Sequence, residues 1–391
     1  MDNSSYEFET KAIRSQLERT QYLEHSNPLF LTSSFVFEDA EEMRASFAEE
    51  KERNTYSRFT NPNTSEFVQK MCELEGAESG YAFATGMSAI FSTLATLLNA
   101  GDHIVSSRSV FGSTYSLLTN YLPKWNISTS FFKVNELDII ESLIQPNTKI
   151  LFAESPTNPA VDVLDIEQLS EIAKKHELLL IIDNCFATPY LQQPIKFGAD
   201  LVLHSATKLI DGQGRVLGGV VVGPTDLIRE IYLFSRNTGP ALSPFNAWVL
   251  SKSLETLAVR VERHCENAHE LAKYLESNSK VNLVKYPFLP SHPQSEIATK
   301  QMKLGGNVVA FEIKGGIEAG RRFLDNIKLC SLSANLGDTR TIVTHPASTT
   351  HSKLSEEDRL EVGISDGLVR ISVGLENIKD IISDLDQALN A

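Results

Sequence analysis

The sequence is poor in cysteine, and its few cysteines form no paired spacing. The four thiols in 391 residues are Cys72, Cys185, Cys265 and Cys330. A structural zinc site or a disulfide framework needs closely or regularly spaced cysteines, so we expect neither a metal site nor disulfide bonds. Cys185 follows Asp183-Asn184 and could face a pocket, although a buried cysteine more often fills apolar space.

Long apolar runs and an excess of positive charge are also absent. No run approaches the length of a membrane span, and the N-terminus has no apolar stretch after a basic start. The formal net charge of −14 at pH 7 opposes nonspecific attraction to nucleic acid or anionic lipid. We therefore expect a cytoplasmic protein whose partners are small molecules rather than nucleic acid or a membrane.

From Gly80 onward, short apolar or β-rich runs alternate with helical stretches. The runs are 81–84, 103–106, 149–153, 178–182, 199–203 and 216–222. This alternation favours an α/β fold with a mostly parallel sheet covered by helices. Near the C-terminus, strand-like 307–313 and 368–373 alternate with helical 317–326 and 377–389. The second pattern predicts a smaller α/β unit.

The chain is long for a single core, so we expect two domains and an extension. Residues 1–60 are polar and irregular and are predicted to form an N-terminal arm. Residues 61–250 are assigned to a large domain, and 251–391 to a small C-terminal domain that includes a bridging helix. That helix is predicted because apolar residues recur every three or four positions between Leu250 and Leu275.

Lys208 ends a hydroxyl-rich turn that follows an apolar run. Ser205 and Thr207 in that turn can donate hydrogen bonds to a phosphate, while the lysine can bind the aldehyde of pyridoxal phosphate. Asp183 ends another apolar run and could meet the pyridine nitrogen of that cofactor. Taken singly, Lys208 could be a surface lysine and Asp183 a turn cap. Together they predict an enzyme that uses pyridoxal phosphate.

Three further features could bind anions. Gly86 and Met87 stand where a predicted strand gives way to a helix, so they could bind a phosphate or could simply form a tight turn. Tyr56 and Arg58 in the arm could clamp a phosphate or lie on the surface. Arg370, in an apolar predicted strand, needs a partner, which is either a substrate α-carboxylate or a structural salt bridge.

In this order, these residues resemble the cystathionine γ-synthase-like family of pyridoxal phosphate enzymes of sulfur amino acid metabolism. The segments that carry the resemblance are Tyr56-Ser57-Arg58, Thr85-Gly86-Met87, Glu154-Ser155-Pro156-Thr157-Asn158-Pro159, Asp183-Asn184, Ser205-Ala206-Thr207-Lys208, Leu336-Gly337-Asp338, His345-Pro346-Ala347-Ser348 and Arg370-Ile371-Ser372-Val373-Gly374. They extend from Tyr56 nearly to the C-terminus. The resemblance implies an aspartate-aminotransferase-like fold of fold type I.

The resemblance also implies a role for each site residue. Lys208 is the Schiff-base lysine, Asp183 pairs with the pyridine nitrogen, and Asn158 lies near the ring oxygen. The other implied ligands of the cofactor are Gly86, Met87, Phe111, Ser205 and Thr207, and those of the substrate are Arg370 and Asn335. Tyr56 and Arg58 would reach the cofactor site of a neighbouring subunit, so the resemblance implies a homo-oligomer, usually a tetramer built from dimers.

Within the family, segments 211–219 and 335–341 look most like sulfhydrylases that act on the succinyl ester of homoserine. Phe111 stands where relatives commonly place a tyrosine, and Ser113 where methionine γ-lyases typically have a cysteine. The predicted reaction is therefore γ-replacement by sulfide, giving homocysteine for methionine biosynthesis. Cystathionine γ-synthase, methionine γ-lyase and a non-catalytic cofactor-binding protein are the alternatives, and the choice between a succinyl and an acetyl ester stays open.

Overall fold

Two sheets organise the computed structural model, which describes residues 5–349, 352, 355–361 and 363–391. The strands of the larger sheet are, in chain order, β1 (Ser79–Phe83), β2 (His103–Ser107), β3 (Ser128–Phe132), β4 (Thr148–Glu154), β5 (Leu179–Asp183), β6 (Leu201–Ser205) and β7 (Gly219–Gly223). They lie in the order β1-β7-β6-β5-β4-β2-β3, with β7 antiparallel to both its neighbours and the remaining pairs parallel. The predicted α/β fold with a mostly parallel sheet is confirmed.

The smaller sheet is formed by the C-terminal part of the chain. Its strands are β8 (Val281–Lys285), β9 (Val308–Ile313), β10 (Ser331–Leu332), β11 (Ile342–Thr344) and β12 (Leu368–Ser372). Their order is β10-β11-β12-β9-β8, and all neighbours except β10 and β11 are antiparallel. The predicted strands at 307–313 and 368–373 coincide with β9 and β12, which are neighbours in this sheet.

Helices connect and cover the strands. In the described residues they are α1 (Phe8–Arg14), α2 (Ala40–Phe47), α3 (Pro62–Glu75), α4 (Gly86–Leu97), α5 (Gly112–Ser116), α6 (Ile140–Leu143), α7 (Ile166–Lys175), α8 (Thr188–Leu191), α9 (Thr225–Thr238), α10 (Pro244–Leu254), α11 (Leu257–Glu276), α12 (Ser295–Gln301), α13 (Gly316–Asn326), α14 (Glu356–Glu361) and α15 (Ile378–Leu389). None of these helices is both long enough and apolar enough to span a membrane.

The central strands of the larger sheet are buried on both faces. Along β4, Leu151 and Ala153 pack into one apolar cluster, whereas Ile150 and Phe152 pack into another. Successive side chains of a strand point to opposite faces, so a strand covered on both sides reads as a continuous apolar run. The run ends abruptly at Glu154, and this polar end faces the site described below.

The long amphipathic segment after Pro244 is two helices rather than one. α10 ends at Leu254 and α11 begins at Leu257. The Ser253 carbonyl, which would continue the helix, instead accepts a 3.2 Å hydrogen bond from the Thr256 N–H and a 3.0 Å hydrogen bond from Arg260 Nη2. The helical pattern in the sequence does not reveal this break, because the apolar spacing continues across it.

The second of these helices belongs to both parts of the molecule. Leu257 and Val261 of α11 pack into the core beside the larger sheet, whereas Leu271 and Leu275 pack into the core of the smaller one. α11 therefore contributes to both cores. The domain boundaries at residues 60 and 250 stay predictions.

Candidate active site

The carboxyl ends of three neighbouring parallel strands bring polar side chains to one edge of the larger sheet. β4 ends at Glu154, β5 at Asp183 and β6 at Ser205. Glu154 is in register with Asp183 across the β4–β5 pair, so both side chains project to the same face. In open α/β sheets, ligands bind outside the carboxyl ends of the strands. This edge is therefore the candidate active site.

The N-terminus of α4 lies directly against Ser205. Thr85 caps the helix by accepting a 3.0 Å hydrogen bond from the backbone N–H of Ser88. A Cβ on Gly86 would lie 2.7 Å from the Ser205 Cβ, and a Cβ on Gly219 would lie 2.8 Å from the Gly86 nitrogen, so glycine at both positions permits this close approach. First-turn N–H groups have no intrahelical acceptor, and this junction can therefore bind a phosphate.

Lys208 lies one turn beyond the end of β6 and is partly buried. Its Nζ donates a 2.6 Å hydrogen bond to Asn335 Oδ1. Burial lowers the pKa of Lys208; nearby Arg370 lowers it further, whereas Cys185 acts in the opposite direction. An amine with a lowered pKa is more often present as the free base, which a nucleophile or proton acceptor must be.

The turn that carries Lys208 is held from two sides. Arg260 of α11 donates hydrogen bonds to the carbonyl oxygens of Leu209 at 2.8 Å and Ile210 at 3.2 Å. On another side the backbone of Gly337 packs so closely that a Cβ there would lie 2.7 Å from the Leu209 nitrogen and 3.0 Å from the Lys208 carbonyl carbon. α11 and the 335–341 loop therefore fix the position of the backbone from which the Lys208 side chain projects.

Asp183 and Glu154 are buried carboxyl groups whose ionisation is linked. Burial raises the pKa of Asp183 to about 6, against the opposing effects of the Cys185 N–H and His204. Burial and the charge of Asp183 raise the pKa of Glu154 well above its ordinary value, although two backbone N–H groups oppose this. The site thus has a buried carboxyl group that would gain from a cationic partner.

Arg370 of β12 is 4% exposed, yet its guanidinium forms no salt bridge within the described parts of the chain. Nη1 donates to Asn158 Oδ1 at 3.0 Å, and Nη2 donates to the Asn335 carbonyl oxygen at 3.0 Å and to Thr344 Oγ1 at 3.3 Å. Nε has no hydrogen-bond partner in the described residues. Burial lowers the pKa of Arg370 to about 10.

These contacts bear on the two alternatives left open for Arg370. The described residues contain no carboxylate paired with it, and a buried guanidinium with an unpartnered N–H calls for an anionic ligand. A carboxylate suits the planar fork of arginine because it can accept two parallel hydrogen bonds. The geometry therefore favours a bound carboxylate over a structural salt bridge.

Glu154 brings Phe111 and Asn158 to the same edge. Its Oε2 accepts a 2.6 Å hydrogen bond from the Phe111 N–H, and its Oε1 accepts a 3.0 Å hydrogen bond from the Asn158 N–H. Phe111 itself is 43% exposed. Phe111 and Asn158, which the sequence predicted as ligands of one cofactor, are thus both anchored on the carboxyl group beside Asp183.

Two residues predicted to bind the phosphate make other contacts. Thr207 Oγ1 donates to the Gly218 carbonyl oxygen at 3.3 Å and accepts from the Gly218 N–H at 3.2 Å. The Met87 sulfur lies 3.8 Å from the Thr114 hydroxyl. A phosphate could therefore be bound by the Met87 backbone rather than by its side chain, and a contribution from Thr207 stays a prediction.

Tyr56 and Arg58 pack against each other, against Phe59 and against α9. Tyr56 is 40% exposed, and its ring packs edge-on against Phe59. The Arg58 guanidinium lies over the Tyr56 ring, 5.3 Å from its centroid, and Nη1 donates to the Arg236 carbonyl oxygen. None of these contacts involves the described residues around Lys208, and the predicted place of the pair in a neighbouring subunit stays a prediction.

Two residues of the site were not assigned a role from the sequence. Glu154 ends an apolar strand just as Asp183 does, so the signal that identified Asp183 was also present for Glu154. Arg260 is a buried charged residue of α11, and nothing in the local sequence pattern shows that it contacts residues 209 and 210.

The charged groups of the site fit pyridoxal phosphate with an amino acid substrate. The α4 N-terminus suits the phosphate, partly buried Lys208 suits the aldehyde, and buried Asp183 suits a protonated pyridine nitrogen. Arg370 suits the carboxylate of an amino acid. None of these groups alone is specific for pyridoxal phosphate, but each matches a different part of the cofactor or of its amino acid substrate.

Comparisons with known proteins agree with this fit. A family model described as Cys/Met metabolism PLP-dependent enzyme matches residues 9–390. The chain is 48% identical over 384 residues to an O-succinylhomoserine sulfhydrylase of Pseudomonas aeruginosa, covering 98% of this chain and 95% of that protein. It is 42% identical over 392 residues to an L-methionine gamma-lyase of Fusobacterium nucleatum subsp. polymorphum, covering 100% of this chain and 99% of the relative.

A solved structure is also similar over the whole chain. It is a putative O-acetylhomoserine (thiol)-lyase from Campylobacter jejuni, which superposes with a TM-score of 0.95 at 35% identity and covers 99% of this chain and 100% of that one. That structure contains N′-pyridoxyl-lysine-5′-monophosphate, in which the cofactor is attached to a lysine.

Proposed function

Since the chain belongs to the Cys/Met metabolism PLP-dependent enzyme family and pyridoxal phosphate is its cofactor, we propose that it is an O-succinylhomoserine sulfhydrylase. In the proposed reaction, hydrosulfide forms a bond to Cγ of O-succinylhomoserine, the Cγ–O ester bond breaks, and succinate leaves with the bonding electrons. The product is homocysteine, a precursor of methionine. The 48% identity to a sulfhydrylase supports this choice, but the 42% identity to a methionine γ-lyase keeps elimination as the competing reaction.

The observation that carries the choice is the phenyl ring of Phe111. Its N–H is held by Glu154, and the ring, where relatives commonly have a phenol, can stack on a cofactor but cannot donate a proton. A thiolate leaving group gains much from protonation, whereas succinate is a stable carboxylate that departs without it. Phenylalanine at this position should therefore impair the cleavage of a thioether substrate more than the cleavage of an acyl ester.

Lys208 is the proposed proton carrier. When bound, the cofactor supplies an electron sink that stabilises negative charge next to the amino acid carbon. The Lys208 Nζ, with a pKa lowered by burial, removes the Cα proton and later returns protons to the substrate. The hydrogen bond to Asn335 Oδ1 orients Nζ when the lysine is not covalently attached to the cofactor. Lys208 would then act as base and as acid in turn.

The remaining residues bind and orient. Asp183 would hold a proton on the pyridine nitrogen, and its burial would strengthen that ion pair. The phosphate would be bound by the N–H groups of Gly86 and Met87 and by the hydroxyls of Ser205 and Thr207. Asn158 would lie near the ring oxygen.

Arg370 and Asn335 would bind the substrate. The Arg370 guanidinium would accept the α-carboxylate in its fork, with Nε as one of the donors. Asn335 contacts both Lys208 Nζ and Arg370 Nη2, so it would hold the carboxylate end of the substrate in line with the proton carrier. Both contacts come from the 335–341 loop.

We further propose that the working enzyme is a homo-oligomer, a tetramer built from dimers that share active sites. Tyr56 and Arg58 would then contribute to the phosphate site of a neighbouring subunit. The support is that Tyr56 is 40% exposed and that the preceding arm exposes Leu31 by 68% and Val36 by 88%, which leaves apolar surface for a partner copy to cover.

Product analysis of the purified holoenzyme tests the reaction. O-succinylhomoserine would be incubated with sulfide or with cysteine, O-acetylhomoserine would replace it in parallel, and methionine would be supplied alone. Homocysteine formed fastest from the succinyl ester and sulfide is the expected result. Cystathionine as the preferred product would make the protein a synthase, and 2-oxobutyrate with methanethiol from methionine would make it a lyase.

The variant Lys208→Ala separates an enzyme from a protein that only binds the cofactor. We expect it to lose turnover and the visible absorption of the lysine-bound cofactor, because the substitution removes the amine to which the cofactor would be attached. Lys300→Ala is the matched control, since Lys300 is an exposed lysine paired with Glu167. Retention of both properties by the Lys208 variant would remove Lys208 from its proposed role.

A further inference from the structure

Glu154 is a buried carboxyl group to which neither the predicted reaction nor the sequence assigned a role. It is 2% exposed and is the last residue of β4. Its two oxygens accept hydrogen bonds from two different segments, Oε2 from the Phe111 N–H at 2.6 Å and Oε1 from the Asn158 N–H at 3.0 Å. One side chain thereby joins the loop before α5 to the segment that follows β4.

The two segments need such an anchor to different degrees. Phe111 as a residue is 43% exposed, so apolar burial does little to fix the loop that carries it. The short hydrogen bond from the Phe111 N–H to the buried Glu154 carboxyl group therefore does much to position Phe111. Asn158 has a second restraint, because its Oδ1 accepts a 3.0 Å hydrogen bond from Arg370 Nη1. Glu154 is thus connected through Asn158 to the residue proposed to bind the substrate carboxylate.

A carboxyl group at this position is costly, and its cost argues for a function. Glu154 is in register with Asp183 on the neighbouring strand. When two neighbouring carboxyl groups are buried, ionising both costs free energy because their charges repel each other. Burial and the Asp183 charge accordingly raise the pKa of Glu154. A glutamine would avoid this repulsion, but it has one acceptor oxygen and could satisfy one of the two N–H groups. An ionised carboxyl group has two acceptor oxygens and can serve both.

We propose that Glu154 is a positioning residue that sets Phe111 and Asn158 against the cofactor ring through these two backbone hydrogen bonds. It touches neither substrate nor cofactor in this role and acts through the residues that do. The inference rests on the proposed roles of Phe111, Asn158 and Asp183.

The test compares Glu154→Gln and Glu154→Ala with the native holoenzyme. The dissociation constant of pyridoxal phosphate, the visible absorption of the bound cofactor as a function of pH, KM and kcat, and the melting temperature would be measured for each. Loss of one hydrogen bond predicts cofactor binding about tenfold weaker for Glu154→Gln, and loss of both predicts about a hundredfold for Glu154→Ala. We also expect a shifted absorption profile, since the neighbour of Asp183 has changed.

Glu66→Gln is the matched control for disturbance of a buried carboxyl group. Glu66 is 3% exposed on α3 and accepts a 2.6 Å hydrogen bond from the Ser251 hydroxyl, so its replacement tests stability without touching Phe111 or Asn158. We expect it to lower the melting temperature at most, with cofactor affinity and absorption like those of the native protein. Glu154→Asp, which keeps the carboxyl group but shortens it by one methylene, replaces Glu154→Gln if the latter does not fold.

A clear result would overturn the inference. If the Glu154 variants change only the melting temperature, as Glu66→Gln does, Glu154 is a structural residue. Lys208→Ala, measured alongside, separates this from failure of the proposed function. If Lys208→Ala loses turnover and absorption while Glu154→Gln is unchanged, the role of Glu154 alone is wrong; if Lys208→Ala keeps both, the proposed function is wrong and the inference that rests on it is wrong as well.

Discussion

Arg370 Nη1 donates a 3.0 Å hydrogen bond to Asn158 Oδ1, and this bond joins the smaller sheet to the larger one. Arg370 lies in β12 and Asn158 follows β4. The proposed carboxylate site is therefore assembled from both sheets. Its geometry depends on how the two units are packed, which α11 controls because it belongs to both cores.

Replacing Arg370 by lysine should weaken substrate binding more than cofactor binding. Lysine keeps the positive charge but loses the planar fork that holds a carboxylate with two hydrogen bonds. We expect steady-state assays to show KM for the amino acid substrate raised about 10- to 100-fold, which corresponds to the free energy of one hydrogen bond to a charged group. Arg321→Lys, at an exposed ion pair with Glu318, is the control. An unchanged KM would point to a structural Arg370.

Asp183→Asn should weaken cofactor binding. The amide cannot offer a negative charge to a protonated pyridine nitrogen, so we expect the dissociation constant of pyridoxal phosphate to rise about 10- to 100-fold, with a parallel loss of kcat. Asp200→Asn is the control, because Asp200 lies at the opposite, amino end of β6, where it accepts a 2.7 Å hydrogen bond from the Leu180 N–H. Equal effects of the two variants would contradict the role assigned to Asp183.

Gly86→Ala should disturb the phosphate site. The new Cβ would lie 2.7 Å from the Ser205 Cβ and 2.9 Å from its Cα, so the α4 N-terminus would have to move away from β6. We expect weaker cofactor binding by about tenfold or more, measured by equilibrium titration. For Gly112→Ala, the Cβ meets nothing within 4 Å, and that variant should keep the native melting temperature. Native cofactor affinity in Gly86→Ala would show that α4 does not bind the phosphate.

Phe111→Tyr should shift the balance between two reactions. The hydroxyl supplies a proton donor that helps a thiolate leave and does little for succinate. General acid catalysis contributes about 10²- to 10⁴-fold where it operates, so we expect the ratio of methionine cleavage to succinyl-ester turnover to rise about tenfold or more. Phe111 is 43% exposed, and melting temperature is the control for disturbance of the fold. An unchanged ratio would contradict the argument from Phe111.

His264 should make the fold sensitive to acid. It is fully buried, its Nδ1 donates a 2.7 Å hydrogen bond to the Val373 carbonyl oxygen, and burial lowers its pKa from 6.5 to about 4. The unfolded chain binds the proton first as pH falls, so the stability that neutral His264 contributes is present above pH 6.5 and is lost progressively towards pH 4. The loss is on the order of 3 kcal/mol.

Urea titrations at several pH values check this contribution. We expect His264→Asn to show a flatter decline in the free energy of unfolding between pH 6.5 and 4 than the native protein does. His25→Asn, at an exposed histidine, should follow the native decline. An equally steep decline in His264→Asn would assign the acid sensitivity to other groups.

The strand ends could be predicted from the sequence because they break a local pattern. Asp183 and Lys208 stand where an apolar run stops, and the structure places both at the carboxyl edge of the larger sheet. Strands β3, β8, β10 and β11 were missed. β3 and β8 are at the edges of their sheets and only partly buried, so their polar residues hide the strand pattern, whereas β10 and β11 have only two and three residues, too few to show a period.

Long-range hydrogen bonds could not be predicted in the same way. The bond between Glu154 and Phe111 joins residues 43 positions apart, and the bond between Arg260 and Leu209 joins residues 51 positions apart. No local spacing encodes either contact, since both exist only once the sheets have packed. For Arg370, the sequence showed that a partner was needed but not which one, and the contacts around its guanidinium favour a carboxylate ligand, which stays a proposal.

The packing of α11 into both cores has a consequence for how the molecule unfolds. α11 supplies Val261 to one core and Leu271 to the other, so separating the cores would expose apolar side chains of a helix that each requires. Neither sheet can therefore lose its packing without weakening the other. We expect the two units to melt in a single cooperative transition, and a chain severed between α10 and α11 to yield no half that is stable by itself.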